Sequence, residues 1–234
     1  MPFRVTRIRR YPVKSMGGEE LRFVQLDHRG VAGDRWFAVV DEEGHLASGK
    51  DSRRFRRHDE VFDFSARTDG FTVHVDGDGQ SWMAGDPGLD AHLSARMGTP
   101  VSLRPEGSVP HHDGSPVSLV GSATFDWCAR EWGIDADPRR LRVNVVLQTS
   151  EPFAEEAWVG LDLAFGIACL HVTERIPRCR MIDVPQDGAP AGAGWLKRLG
   201  RERDMNLGVY ARVVTPAAIT VGERVKLAGG SGAR

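Results

Sequence analysis

Through its first hundred residues the chain keeps breaking into short runs that alternate apolar and polar side chains and stop at glycine, proline or Asp-Gly turns. Alternation with a period of two puts successive side chains on opposite faces, so each run reads as a half-buried strand. Residues 5–11 alternate Val, Arg, Ile and Arg and end at Pro12. Residues 21–26 alternate again. The run Trp36-Phe37-Ala38-Val39-Val40 is continuously apolar and meets the turn Asp41-Glu42-Glu43-Gly44. Residues 71–75 alternate and run into Asp76-Gly77-Asp78-Gly79. Short strands joined by close turns predict a small β-barrel or sandwich.

Later segments mix element types. A short helix is expected over 86–97, with Leu89, Leu93 and Met97 on one face. Residues 105–116 read as a linker, and 117–120 as a strand. Ser122 is placed to N-cap a helix carrying Phe125, Cys128, Ala129 and Trp132 at i, i+3, i+4 and i+7, with Gly133 as its stop. Strands are expected over 141–147, 167–172, 209–214 and 225–227. The last two are joined by a turn through Pro216 and Gly222. One helical turn fits 153–158, and a short helix fits 194–199. Residues 229–234 read as a loose tail. The class is α+β and β-rich.

Composition removes several function classes. With 41% apolar residues and a net charge of −1, general disorder is excluded. No apolar run approaches the roughly 18 residues of a spanning helix, and the N-terminus lacks a secretory h-region. The 31 basic and 32 acidic residues leave no nucleic-acid footprint at the level of the whole chain. The basic residues are nearly all arginine, with Lys14, Lys50, Lys197 and Lys226 the four lysines. Three cysteines, Cys128, Cys169 and Cys179, show no CxxC spacing, which argues against a disulfide framework or a zinc knuckle. A reducing, cytoplasmic location is expected, with no membrane and no nucleic-acid partner.

Five places can carry chemistry. Lys14 and Ser15, before Gly17 and Gly18, offer an ammonium, a hydroxyl and a flexible backbone suited to an anion, although the Walker spacing is absent. Arg35 enters an apolar strand and must snorkel out or pair, with Asp34 or with a ligand phosphate. His111, His112 and Asp113 suggest a metal, but adjacent side chains in an extended loop diverge, and a turn role for Asp113 is simpler. In a strand, Arg142 and Asn144 would share one face, towards solvent or a polar cleft. Cys179 lies in a loop after a buried strand, flanked by Arg178 and Arg180. Positive charge beside a thiol favours the thiolate, which is a nucleophile and a soft-metal ligand. Cys128 and Cys169 read as small core hydrophobes.

In this order the pieces resemble the MOSC family, the molybdenum-cofactor sulfurase C-terminal domain proteins. The likeness is strongest to the two-part branch that includes the mitochondrial amidoxime-reducing component and its bacterial relatives. It rests on Tyr11-Pro12-Val13-Lys14-Ser15, Gly33-Asp34-Arg35, Asp113-Gly114-Ser115-Pro116, Arg142-Val143-Asn144, the segment from Pro152 to Trp158, and Arg178-Cys179. Gly208-Val209-Tyr210-Ala211-Arg212 and Ile219-Thr220-Val221-Gly222-Glu223 extend it to nearly the whole chain.

The resemblance implies a MOSC N-terminal β-barrel segment over 1–105 and a mixed β-barrel MOSC domain over 106–228 with a few short helices. It implies a molybdenum cofactor (molybdopterin) held between the two, with no requirement for pyridoxal phosphate. Cys179 would be the thiolate on molybdenum and the catalytic residue. Lys14, Ser15, Arg35 and Arg142 would hold the pterin phosphate, and Asp113, the Gly114 backbone and Asn144 the pterin. The implied activity is reduction of small N-hydroxylated substrates, with electrons from a separate ferredoxin-like or flavin reductase. The alternative is a carrier of the cofactor, or of persulfide sulfur on Cys179. A third reading is a cofactor-free binding module for another anion. The sequence departs from the family at Val143, where proline is usual, and at Pro177, where a small polar residue is frequent. Many bacterial relatives carry an iron–sulfur domain. No cysteine follows Cys179, so no iron–sulfur cluster is expected in this chain.

Overall fold

In the computed structural model, residues 3–191 and 194–229 are described. Most of the expected tail, 230–234, lies outside them.

Seven strands close into a mixed β-barrel. Asn206–Thr215 pairs antiparallel with Val117–Gly121 on one side and Ala168–Pro177 on the other. Ala168–Pro177 pairs with Asp162–Phe165, which pairs with Arg224–Ala228, and that strand reaches Phe3–Arg10. Phe3–Arg10 then pairs with Val145–Leu147, and Val145–Leu147 runs parallel to Val117–Gly121, closing the ring. The strand that completes this second-half barrel is therefore the first in the chain. A register shift between Val5 and Arg7 explains how. An extra residue changes the phase of a strand, so Val5 and Ile8, three apart, both face the core. The two parallel strands are buried on both faces, as parallel pairs under a crossover helix are. Leu119, Val145, Leu163, Phe165, Leu170 and Val209 fill the interior.

The segment between the first strand and residue 105 builds a second core from small sheets. One orders Val101–Pro105, Phe37–Asp41, Leu46–Ser48 and Phe55–Arg57; another orders Gln80–Met83, Thr72–Gly77 and Ser65–Asp69. Helix α1, Pro87–Met97, lays Leu89, Leu93 and Met97 onto them. It starts at Asp86, whose side chain accepts a hydrogen bond from the Gly88 N–H, and stops at left-handed Gly98. The expected strand over 21–26 is two strands, Glu19–Leu21 and Phe23–Asp27, broken at Arg22. Ala218–Thr220, within the expected Pro216–Gly222 turn, pairs with the second of these, so the two halves also share a small sheet.

A third core joins helix α2, Ser122–Trp132, to helix α3, Trp195–Glu202. Phe125, Cys128 and Trp132 are buried as expected, and Gly133 ends α2 in the left-handed region. Two details differ. Gly121, not Ser122, is the N-cap, and Thr124 rather than Ala129 completes the buried face because the buried Glu155 carboxylate takes its hydroxyl at 2.9 Å. The expected strand over 141–147 is only Val145–Leu147. Leu141 closes a 3-10 turn and Arg142 is left-handed, at φ 50°. The shared strand face expected for Arg142 and Asn144 therefore does not exist. No helix among the described residues is long and apolar enough to cross a membrane.

Candidate functional site

A cavity of about 330 Å³ opens between the closed barrel and the N-terminal sheets. That volume is at the lower end of the range for small-molecule and cofactor sites. Lys14, Lys50, Arg35, Arg140, Arg142 and Arg178 bring six cations to its wall, against the carboxylates of Asp113 and Glu174. Set against a chain net charge of −1, this is strongly local positive charge. It suits an anionic ligand.

The loop that leaves the first strand supplies Tyr11, Lys14 and Ser15. Asp34 pins it by accepting from the Tyr11 N–H at 2.7 Å, and the Arg35 N–H returns to the Tyr11 carbonyl at 2.7 Å. Arg35 pairs with the Asp34 carboxylate and donates to the Arg142 carbonyl at 3.1 Å. Arg142 donates to the Met16 carbonyl at 2.7 Å. The Tyr11 ring lies under both guanidiniums, 5.1 Å from Arg35 and 4.3 Å from Arg142. Ser15, Arg35 and Arg142 all have left-handed backbone, at φ 69°, 52° and 50°. Non-glycine residues enter that region at a cost of about 1–2 kcal/mol each. Three such residues therefore meet on one cavity wall.

Lys14 is buried, and its ammonium donates to the His111 carbonyl at 2.8 Å and to Asp113 at 3.2 Å. Burial pushes it down to about 8, and Asp113 opposes that shift. Asp113 moves the other way. Loss of water raises its carboxyl, but Lys14, Lys50 and Arg35 outweigh this and hold it at about 2. It is therefore a carboxylate at neutral pH and can only accept. Burial pushes the Arg142 and Arg178 guanidiniums down to about 10, so both stay charged.

Arginine donors on this wall are uncommitted, Nε and Nη1 of Arg140 among them. Arg142 Nη1 and Arg178 Nη2 are buried and have no hydrogen-bond partner among the described residues. The other nitrogens of Arg178 hold the Leu207 carbonyl at 2.8 Å and the Leu141 carbonyl at 2.7 Å. A buried donor without a partner costs about 1–3 kcal/mol, more when charged, and this cost is removed if a ligand accepts it. Cys179 stands at the end of the Ala168–Pro177 strand, half-buried, and lines the same cavity.

Of the residues singled out in the sequence, Lys14, Ser15, Arg35, Asp113, Gly114, Arg142 and Cys179 line this one cavity. Asn144 does not. Its Oδ1 accepts from the Ser118 N–H and hydroxyl at 3.1 and 2.9 Å, and its Nδ2 donates to the Arg9 carbonyl at 3.3 Å. It ties two barrel strands together. The Ser15 hydroxyl is likewise engaged, with the Ala47 carbonyl at 3.0 Å. His111 and His112 gather no ligand set with Asp113. The three-residue group with metal-binding spacing among the described residues is Asp41, Glu43 and His45, an ion-paired hairpin turn. Cys169 is half-buried at the barrel wall, whereas Cys128 is fully buried.

Sequence reasoning missed three lining residues as ligands. Arg178 was read only as a charge beside the thiol. Lys50 and Tyr210 carry signals of their own: one of four lysines, and a phenol between the apolar Val209 and Ala211. Gly114 packs so close to that phenol that a Cβ there would stand 2.6 Å from Tyr210 Cε2.

Comparison with known proteins agrees with this architecture. The MOSC N-terminal beta barrel domain matches residues 2–84, and the MOSC domain matches residues 106–226. A molybdenum cofactor sulfurase of Danio rerio is 27% identical over 92% of this chain, which spans about a third (33%) of that protein's length. In fold, the YuaD protein of Bacillus subtilis superposes with a TM-score of 0.52 at 12% identity, over 97% of this chain and 96% of that one. YiiM of Escherichia coli is similar over 97% of this chain and 70% of that one, at a TM-score of 0.47 and 11% identity. The MOSC domain alone accounts for more than half of the residues, and the chain belongs to the MOSC family.

Proposed function

We propose that the chain holds a molybdenum–pterin cofactor in this cavity and reduces small N-hydroxylated compounds, taking electrons from a separate ferredoxin-like or flavin donor. The observation that carries the reading is one cavity wall where the Cys179 thiol stands beside Arg142 and Arg178, each with a buried, uncommitted N–H. The chemistry fits such a group. A phosphate dianion matches Lys14, Arg35 and Arg142, and guanidiniums bind phosphate in a bidentate fashion. Asp113, an acceptor only, suits the N–H edge of a heterocycle, beside the closely packed Gly114 and Tyr210. Arg178 joins the holding residues. Asn144 supports them through Ser118 and not by direct contact. A thiolate at Cys179 suits a soft metal.

When bound, such a cofactor supplies two-electron chemistry that turns an N–OH group, two electrons and two protons into N–H and water. The protein binds and orients, and it surrounds the reaction with fixed positive charge. The sulfurase relative, whose name concerns the cofactor itself, favours a second reading in which Cys179 carries the cofactor or its sulfur to another enzyme.

Molybdenum and pterin content per chain, measured for wild type and Cys179→Ala from a cofactor-proficient host, tests the first step. Near-stoichiometric metal in wild type and its loss in the variant is expected. No metal in either overturns the reading. Metal without turnover of an amidoxime under a chemical reductant moves the assignment to the carrier.

A further inference from the structure

Lys50 is the one cavity lysine that, among the described residues, forms no close ion pair, although its charge also acts on Asp113. Lys14 is paired with Asp113, Arg35 with Asp34, and Arg140 with Asp135. Arg142 and Arg178 hold backbone carbonyls deep in the wall. Among the described residues, no carboxylate pairs with Lys50. The acids near it in sequence are engaged elsewhere: Asp51 accepts from the Arg57 N–H at 2.9 Å, and Asp59 is taken by Arg57 and Arg180. What fixes the Lys50 ammonium is an aromatic face, the Phe55 ring, at 4.9 Å. Lys50 is half-buried, unlike the fully buried Lys14, so it can meet a molecule arriving from solvent.

Its backbone is tied directly to the cysteine loop. Arg180, next after Cys179, donates to the carbonyl of Gly49, the residue before Lys50, at 3.1 Å. Met181 packs on Gly49 so closely that a Cβ there would stand 2.9 Å from Met181 Cγ. The Ser48 hydroxyl points to Met181 Sδ at 3.6 Å. Lys50 and Cys179 are thus each one residue from a shared hydrogen bond.

We propose that Lys50 is a substrate-recognition residue, and that the molecule acted on at Cys179 carries an anionic group, a carboxylate or a phosphate, which this ammonium binds. A cation in no close ion pair, lining the same cavity as Cys179, selects charged over neutral substrates. The proposal deepens the reductase reading and rests on it for the identity of the reaction, but its charge effect is measurable without the cofactor.

The first test uses the full chain from a host lacking the pterin pathway. Cys179 is alkylated with iodoacetate, an anion, and with neutral iodoacetamide. Peptide mass spectrometry separates it from Cys128 and Cys169. Lys50→Gln is expected to lower the iodoacetate-to-iodoacetamide rate ratio about fivefold, and Lys50→Arg to keep it. An unchanged ratio, or equal changes in both rates, overturns the proposal.

The second test uses the cofactor-loaded chain with benzamidoxime and its para-carboxylate and para-phosphate derivatives. Higher kcat/KM for one charged derivative, with that preference lost in Lys50→Gln, is expected, and the preferred derivative names the group. Equal loss on charged and neutral substrates overturns the proposal. A shifted alkylation ratio with no turnover of any amidoxime leaves Lys50 as an anion site and removes the reductase reading instead.

Discussion

Arg180 grips the Asp59 carboxylate with both guanidinium nitrogens, at 2.7 and 2.6 Å, and so fastens the residue after Cys179 to the N-terminal segment. The hydrogen bonds from Arg180 pull the Asp59 carboxyl down to about 2 against partial burial, with Arg57 adding to the effect. A carboxyl depressed in the folded state contributes stability above its unfolded value that is lost as pH falls through about 2. The tie is therefore whole at neutral pH. Because the pair is partly exposed, Asp59→Asn should cost under about 1 kcal/mol in denaturant unfolding. The same variant should speed iodoacetamide alkylation of Cys179 in the cofactor-free chain several-fold. An unchanged rate would show that the loop is held without this pair.

Lys14 gives an alkaline signature. Burial lowers its folded value to about 8 from an ordinary 10.5, so below 8 the folded state carries a disfavoured charge. Between these values the unfolded chain binds more protons than the folded one, and Lys14 then favours folding as pH rises. The unfolding free energy of wild type minus that of Lys14→Met should rise by up to about 3 kcal/mol from pH 7 to 10.5. Phosphate affinity should fall over the same window as the ammonium is lost, which titration calorimetry with inorganic phosphate measures. A flat stability difference would place Lys14 in water.

Glu155 behaves in the opposite sense, beneath the start of α2. Burial raises its carboxyl to about 7, although the Thr124 hydroxyl and backbone N–H groups work against the shift. Its folded value lies above the unfolded one, so stability present below about 4.5 is lost as pH rises through about 7. Glu155→Gln keeps an acceptor for Thr124 and cannot ionise. Wild-type stability relative to this variant should fall by up to about 3 kcal/mol from pH 5 to 8. Parallel curves for the two proteins would contradict the burial argument.

Gly114 and Tyr210 should be energetically coupled. An added methyl at Gly114 meets Tyr210 Cε2 at 2.6 Å and Cδ2 at 3.1 Å, so the ring must move. Overpacking of this kind costs about 1–3 kcal/mol. Gly114→Ala should destabilise wild type by that amount and cost much less in a Tyr210→Ala background. Additive effects in the double-mutant cycle would show that the ring moves freely.

Much of the fold was legible locally. Asp86, the Leu89–Leu93–Met97 stripe and the glycine stop specify α1 through capping and periodicity, which act within a few residues. Gly133 ends α2 for the same reason. The misread elements are those where a distant partner decides. Thr124 replaces Ala129 on the buried face of α2 because Glu155, some thirty residues on, accepts its hydroxyl. Arg142 leaves the strand conformation because its guanidinium holds Met16 and stacks on Tyr11, in the first segment of the chain.

The sequence by itself determined the set of strands, two helices with their stops, and a short roster of polar residues that a plain core would not need. The tertiary structure decided which of them meet. It turned Asn144 inward onto Ser118 and Arg9, drew Arg178 and Lys50 onto the cavity wall, and closed the second barrel with the first strand. Local pattern records only whether a side chain is polar and where it falls in a short period. Whether that group is satisfied by protein or left for a ligand depends on register between strands far apart in the chain, and that is set when the barrel closes.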